Sequence, residues 1–206
     1  MKKFNGYDEA KKEAQYQGGM KLPVGAYVCK ISNVRYEPSE KEEYSDRIVI
    51  AFDITEGEQK DFFKKQYESN TNDDKKWKGT TRIYCPNDDG SESDAWTKKS
   101  FARWTDALEK SNPGYAWDWD ESKWKNKLVG IIFHEVGTVI DNKEIKYTEV
   151  SAPCSVEDAK NGTFWDGYLR FKAKKGYTGQ QNNNVISTNN EGFMSIPEGT
   201  EEEIPF

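Results

Sequence analysis

Lys75-Lys76-Trp77-Lys78 sets one indole among three ammonium groups. Cations so placed can track a chain of phosphates, and a flat ring can stack on an exposed base whichever base it is. Such stacking contributes about 1–3 kcal/mol per base. The same stretch also reads as a solvated loop with Trp77 as a core plug, and composition does not choose between the two. Earlier in this connection stand Lys64, Lys65 and Tyr67. The segments it joins, "RIVIAFDIT" and "TTRIYC", read as strands with apolar faces made of Ile48, Ile50, Phe52 and Ile54, and of Thr81, Ile83 and Cys85. Period-two alternation then turns Arg47, Arg82 and Tyr84 to the opposite face. The candidate contacts to a single-stranded nucleic acid are therefore Arg47, Lys64, Lys65, Tyr67, Lys76, Trp77, Lys78, Arg82 and Tyr84.

Other chemistry finds little support. The sequence has no Gly-x-x-x-x-Gly-Lys-Ser/Thr loop and no Gly-x-Ser-x-Gly, and its one histidine, His134, lies in a strand-like stretch and reads as structural. No nucleophile has a base beside it, so no catalytic residue and no cofactor are expected. Cys29, Cys85 and Cys154 are odd in number and far apart, without a Cys-x-x-Cys. That pattern fits neither the usual zinc spacings nor a disulfide framework, and each cysteine reads as a small core residue. "PGYAWDWDESKWK" could offer a sugar platform, or a metal site at Asp118 and Asp120, but an aromatic lid packed on the body is the stronger reading. "NDDGSESD" does not keep the register of a calcium-binding EF-hand loop.

Charge and composition set the frame for these residues. The 206-residue chain is 34% hydrophobic and 32% charged, yet 14% aromatic with seven tryptophans, too aromatic for a disordered chain. Its net charge of −6 is unevenly placed. All 30 basic residues precede Gly176, while Glu191, Glu198, Glu201, Glu202 and Glu203 follow it. The body is thus nearly neutral and can still carry a basic groove. No apolar run approaches the ~20 residues that span a bilayer, and "MKKFNGYDEA" has no apolar segment behind its lysines. No secretory signal and no membrane partner are expected, and the expected place is the cytoplasm.

The elements that must hold the candidate residues follow from the pattern. "LPVGAYVCKISNVRY" reads as a first strand, with Tyr27, Cys29 and Ile31 on one face. "EGEQKDFFKKQYESNTNDDKKWKG" reads as a charged, partly extended excursion between the second and third strands. Asp94 is placed to cap a helix, "AWTKKSFARWTDALEKSN", with Phe101, Trp104, Leu108 and Trp96 toward the core. Residues 127–136 and 143–151 read as a hairpin, and "GTFWDGYLRFKAKK" as a segment that seals the body or extends the sheet. The expected fold is mainly β with one principal helix: a five-stranded Greek-key barrel of the OB type, its helix between the third and fourth strands. The expected division is an extension over 1–20, the DNA-binding barrel over 21–175, and a disordered polar linker with an acidic tail over 176–206.

That tail ends in Glu201-Glu202-Glu203-Ile204-Pro205-Phe206. Pro205 limits the ordering cost of docking, Ile204 and Phe206 suit a small apolar pocket, and the glutamates supply steering. The tip resembles the acidic Ile-Pro-Phe end of bacterial single-stranded DNA-binding proteins, with glutamates where aspartates are usual. The body is longer than the compact domain of the cellular proteins. It is more similar to the single-stranded DNA-binding proteins of bacteriophages and prophages, which pair a divergent OB-fold with an acidic tail. The resemblance implies sequence-independent binding and protection of single-stranded DNA in replication or recombination, in the bacterial host cytoplasm if phage-encoded. It implies a tip that recruits replication and recombination proteins, and it allows a homo-oligomer. The alternative is a phage adaptor or recombination mediator whose body binds protein rather than DNA.

Overall fold

The computed structural model describes residues 20–40, 44–140 and 142–179. The expected extension through residue 19 and the tip Glu198–Phe206 lie outside them, as does the linker from residue 180. Six strands form one sheet: β1 (Gly25–Glu37), β2 (Arg47–Ile54), β3 (Thr80–Tyr84), β4 (Leu128–Ile140), β5 (Lys143–Cys154) and the two-residue β6 (Lys172–Ala173). Among the described residues three α-helices accompany them: α1 (Phe62–Ser69), α2 (Glu92–Ser111) and α3 (Val156–Asn161). The mainly β class and the placement of α2 between β3 and β4 agree with the sequence pattern.

The strand order is β3-β2-β1-β4-β5, antiparallel throughout, with β6 running parallel beside β4. Strand β1 belongs to both halves of this sheet. Its residues Gly25–Lys30 pair with β4, and Cys29–Glu37 pair with β2. Between Ile31 and Asn33 the register with β2 slips, so β1 carries an extra residue there. Such a bulge bends a strand and lets it leave one partner for another. The gap this opens is closed by the chain before β4: Ile31 N–H donates to the Lys127 carbonyl (3.0 Å), and Asn126 N–H donates to that of Ile31 (2.8 Å).

The expected closed five-stranded barrel is not what forms: the sheet is open and has six strands. No pairing joins β3 to β5 among the described residues. A proline stands at each open edge: Pro86 follows β3 closely, and Pro153 lies within β5. Beyond Phe133, β4 and β5 continue past β1 as a two-stranded arm. There β6 supplies the missing neighbour of β4, and the Phe171 and Tyr177 rings press on Gly137, where any Cβ would sit 2.7–2.8 Å from them. Residues up to Thr178, which donates to Glu144 (2.7 Å), are still packed on this arm.

The main core gathers Ile48, Ile50, Phe52 and Ile54 of β2 with Ile31, Ile83, Val129, Ile131 and Phe133, under Phe101, Trp104 and Leu108 of α2. The other face of β4 has its own cover, in which Ile132, Ala152 and Cys154 meet Phe164, Tyr168 and Leu169. Trp96 departs from the expectation and is 57% exposed. It lies five residues before Phe101, a rotation of roughly 140° that carries it off the apolar stripe. The cap differs as well. Ser91, not Asp94, accepts from the backbone at the start of α2, through the Asp94 N–H (3.1 Å). Asp94 instead sits inside the first turn, where its Oδ1 accepts from Asn87 N–H (2.9 Å) and Asp88 N–H (3.0 Å). Ser91→Ala is expected to cost about 1 kcal/mol in a urea unfolding curve, as loss of a side-chain cap does. An unchanged midpoint would mean that Ser91 caps nothing.

Candidate nucleic-acid interface

Register places nine residues on the face of β1-β2-β3 that points away from the core. Glu37, Arg47 and Tyr84 form one row, Arg35, Val49 and Arg82 the next, and Asn33, Ala51 and Thr80 the third. Neighbouring rows lie about 7 Å apart, and neighbouring strands about 5 Å. Among these nine, three guanidiniums share a small area with a single carboxylate. The Glu37 carboxylate accepts from Arg47 Nε on Oε2 (2.7 Å) and from Arg35 on Oε1. The Arg47 bond, with Arg35 assisting, holds its pKa below the usual carboxylate value against the opposing effect of burial. No carboxylate among the described residues pairs with Arg82. Tyr84 is 53% exposed and offers the only aromatic ring of the nine.

Of the residues singled out in sequence, Arg47, Arg82 and Tyr84 therefore meet on one surface. Arg35 was missed, and the bulge explains why. Alternation counted from Tyr27, Cys29 and Ile31 would turn residue 35 inward. The extra residue after Ile31 reverses the parity, so that Val34 and Tyr36 align with Ile50 and Ile48, and Arg35 faces out.

The connection between β2 and β3 is more ordered than an excursion. Asp53, at the end of β2, accepts from the N–H groups of Phe63 (3.0 Å) and Lys64 (3.0 Å), which starts α1 beside the sheet. Phe62 and Phe63 are buried, with Phe63 edge-on to Phe52 at 5.5 Å. Lys64 is exposed, and Lys65 Nζ donates to the Lys60 carbonyl (2.7 Å). Tyr67 lies 5.9 Å from Trp77, with Lys75 Nζ 4.7 Å above its ring. Trp77 is half-buried, its Nε1–H shared between the carbonyls of Phe52 (3.2 Å) and Gly79 (3.1 Å). Its indole is thus anchored beside β2, while Lys76 and Lys78 stay exposed. Because Phe52 follows Ala51, this lysine-flanked stretch adjoins the Asn33-Ala51-Thr80 end of the sheet face.

Away from this face, the "WDWDESKWK" segment forms the expected lid. Trp124 is fully buried, 5.1 Å from Trp117 and 6.3 Å from Phe101. Trp119 lies outward of Trp117 with ring centroids 5.9 Å apart and planes tilted by 54°, is 80% exposed and holds a left-handed backbone (φ 67°), rare for a bulky residue. Its neighbours Asp118 and Asp120 pair with Lys123. His134 is buried, with Nε2 3.4 Å from Glu149.

No family model matches the chain, and no curated protein sequence matches it. Among the described residues, no helix is long and apolar enough to cross a membrane.

Proposed function

We propose that this protein binds single-stranded DNA without regard to sequence, through the outer face of β1-β2-β3, in cytoplasmic DNA replication or recombination. The observation that carries this reading is that Arg35, Arg47 and Arg82 share this face with one carboxylate, Glu37, while the exposed Tyr84 stands beside Arg47 and Arg82. Cations follow the phosphates and the ring takes a base, which is the arrangement of a sequence-tolerant single-strand site. Fold geometry supports it. Pairing of β1 with both β2 and β4, with α2 between β3 and β4, is what a divergent OB-fold opened between β3 and β5 would have. OB-folds bind oligonucleotides on the strand 2–3 face. The lysines of the 64–78 connection extend the cationic surface from one end of it. The Glu201-Glu202-Glu203-Ile204-Pro205-Phe206 tip then recruits replication proteins, as its resemblance implies.

The adaptor reading has one observation in its favour. Trp119 stands exposed between carboxylates, which suits a protein contact better than a phosphate chain. Anisotropy of labelled oligo-dT decides between the two readings. Binding at low salt that weakens as salt rises, with duplex of equal length as a poor competitor, is expected. No binding at low salt would remove the DNA reading and leave the adaptor in its place.

A further inference from the structure

We propose that the space between the Arg35 and Arg47 guanidiniums is a phosphate site, occupied in the free protein by the Glu37 carboxylate as an internal stand-in that a DNA strand displaces. The inference rests on the single-stranded DNA reading and adds how that site is regulated. Each Glu37 oxygen accepts from a different arginine, Oε1 from Arg35 and Oε2 from Arg47. A phosphodiester presents two non-bridging oxygens with the same demand for charged donors. The three side chains are also graded in exposure: 69% for Arg35, 38% for Arg47 and 22% for Glu37. The arginine side chains are thus more open to solvent than the carboxylate, so a strand approaching from outside meets the cations first.

The Arg35 half of this arrangement is exposed, and exposed ion pairs are weak, so giving up that bond for one to a phosphate costs little. The incoming group gains what Glu37 lacks, access to Arg82, which lies one strand beyond Val49 in the same row as Arg35. Once displaced, the carboxylate remains on the same face and repels the strand. Glu37 therefore keeps both arginines oriented in the free protein and holds down affinity for isolated anions. Only a polyanion that engages several cations at once overcomes it.

The opposing role, in which Glu37 merely orients the arginines for DNA, predicts the opposite sign, and the Glu37→Gln protein separates them. Oligo-dT affinity at low salt is expected to rise about three- to tenfold. The slope of log K against log salt should steepen by about 0.7, because removing one negative charge beside the strand acts like one further neutralised phosphate. Adding Arg47→Ala to Glu37→Gln should abolish the gain. Glu37→Ala, which also removes the charge, should move affinity the same way and serves if the glutamine variant fails to fold. If the parent binds oligo-dT and both Glu37 variants bind equally or more weakly, the stand-in is refuted while the DNA reading holds. If neither the parent nor the variants bind at low salt, both fall.

Discussion

Trp124→Ala is expected to lower the stability of the folded chain by about 3–5 kcal/mol, the usual cost of truncating a buried tryptophan. For a chain of this size that is a fall of roughly 6–20 °C in Tm. Three features of the site place the expected effect in the upper part of the range. The side chain is completely buried. It joins Phe101 of α2 to Trp117 of the lid, so its loss leaves two aromatic neighbours facing a cavity. And it anchors the segment whose Asn126 and Lys127 bond to Ile31 at the β1 bulge. Trp124→Phe, which keeps part of the ring volume, should recover part of the loss. A urea curve shifted by less than about 1 kcal/mol would show that the lid is not part of the core, since such losses mark a surface site.

The second large effect is on binding. Tyr84→Ala is expected to weaken oligo-dT binding by about 5- to 150-fold, corresponding to about 1–3 kcal/mol of lost base stacking. Adding Arg82→Ala should weaken it further and reduce the salt slope by about 0.7, because one phosphate contact disappears. Both side chains are exposed on β3 while Ile83 between them holds the core, so the thermal transition should scarcely move. The pair of readouts matters: stacking loss changes affinity at every salt concentration, and phosphate loss changes the slope. If the double variant bound oligo-dT as tightly as the parent, with the same slope, the outer face of β2-β3 would not be the DNA site.

Alternation made the second and third strands readable, because Ile48, Ile50, Phe52 and Ile54 take every second position and all four are buried. The same logic carried Arg47, Arg82 and Tyr84 to their common face. It failed at β1, since one extra residue inverts every later side chain and leaves no mark in the sequence. It also failed at α1. That helix buries only the adjacent Phe62 and Phe63, so it shows no recurring 3.6-residue stripe, and its charged remainder resembles a loop. Trp96 was assigned to the core by kinship with Trp104 and Phe101, although its spacing rotates it to solvent. The Trp77 alternatives resolve toward an anchored, half-buried ring, a matter of tertiary carbonyls that no local pattern announces. Glu37 was invisible as part of the candidate site, because its meaning depends on which two arginines face it across the register.

The strand shared by both halves of the sheet also sets an order of events at the ribosome. Val49 and its neighbours on β2 reach β1 and β3 within a short stretch of chain, but Gly25–Lys30 must wait for Leu128–Phe133 to be made. At a synthesis rate of about 5–20 residues per second, that wait is roughly 5–20 s. Through it Val28 and Cys29, both buried in the finished protein, have no strand on their β4 side. The nascent chain therefore spends seconds with an adhesive edge near its beginning, and the arrival of β4 is the moment at which it becomes safe from its neighbours on the same message.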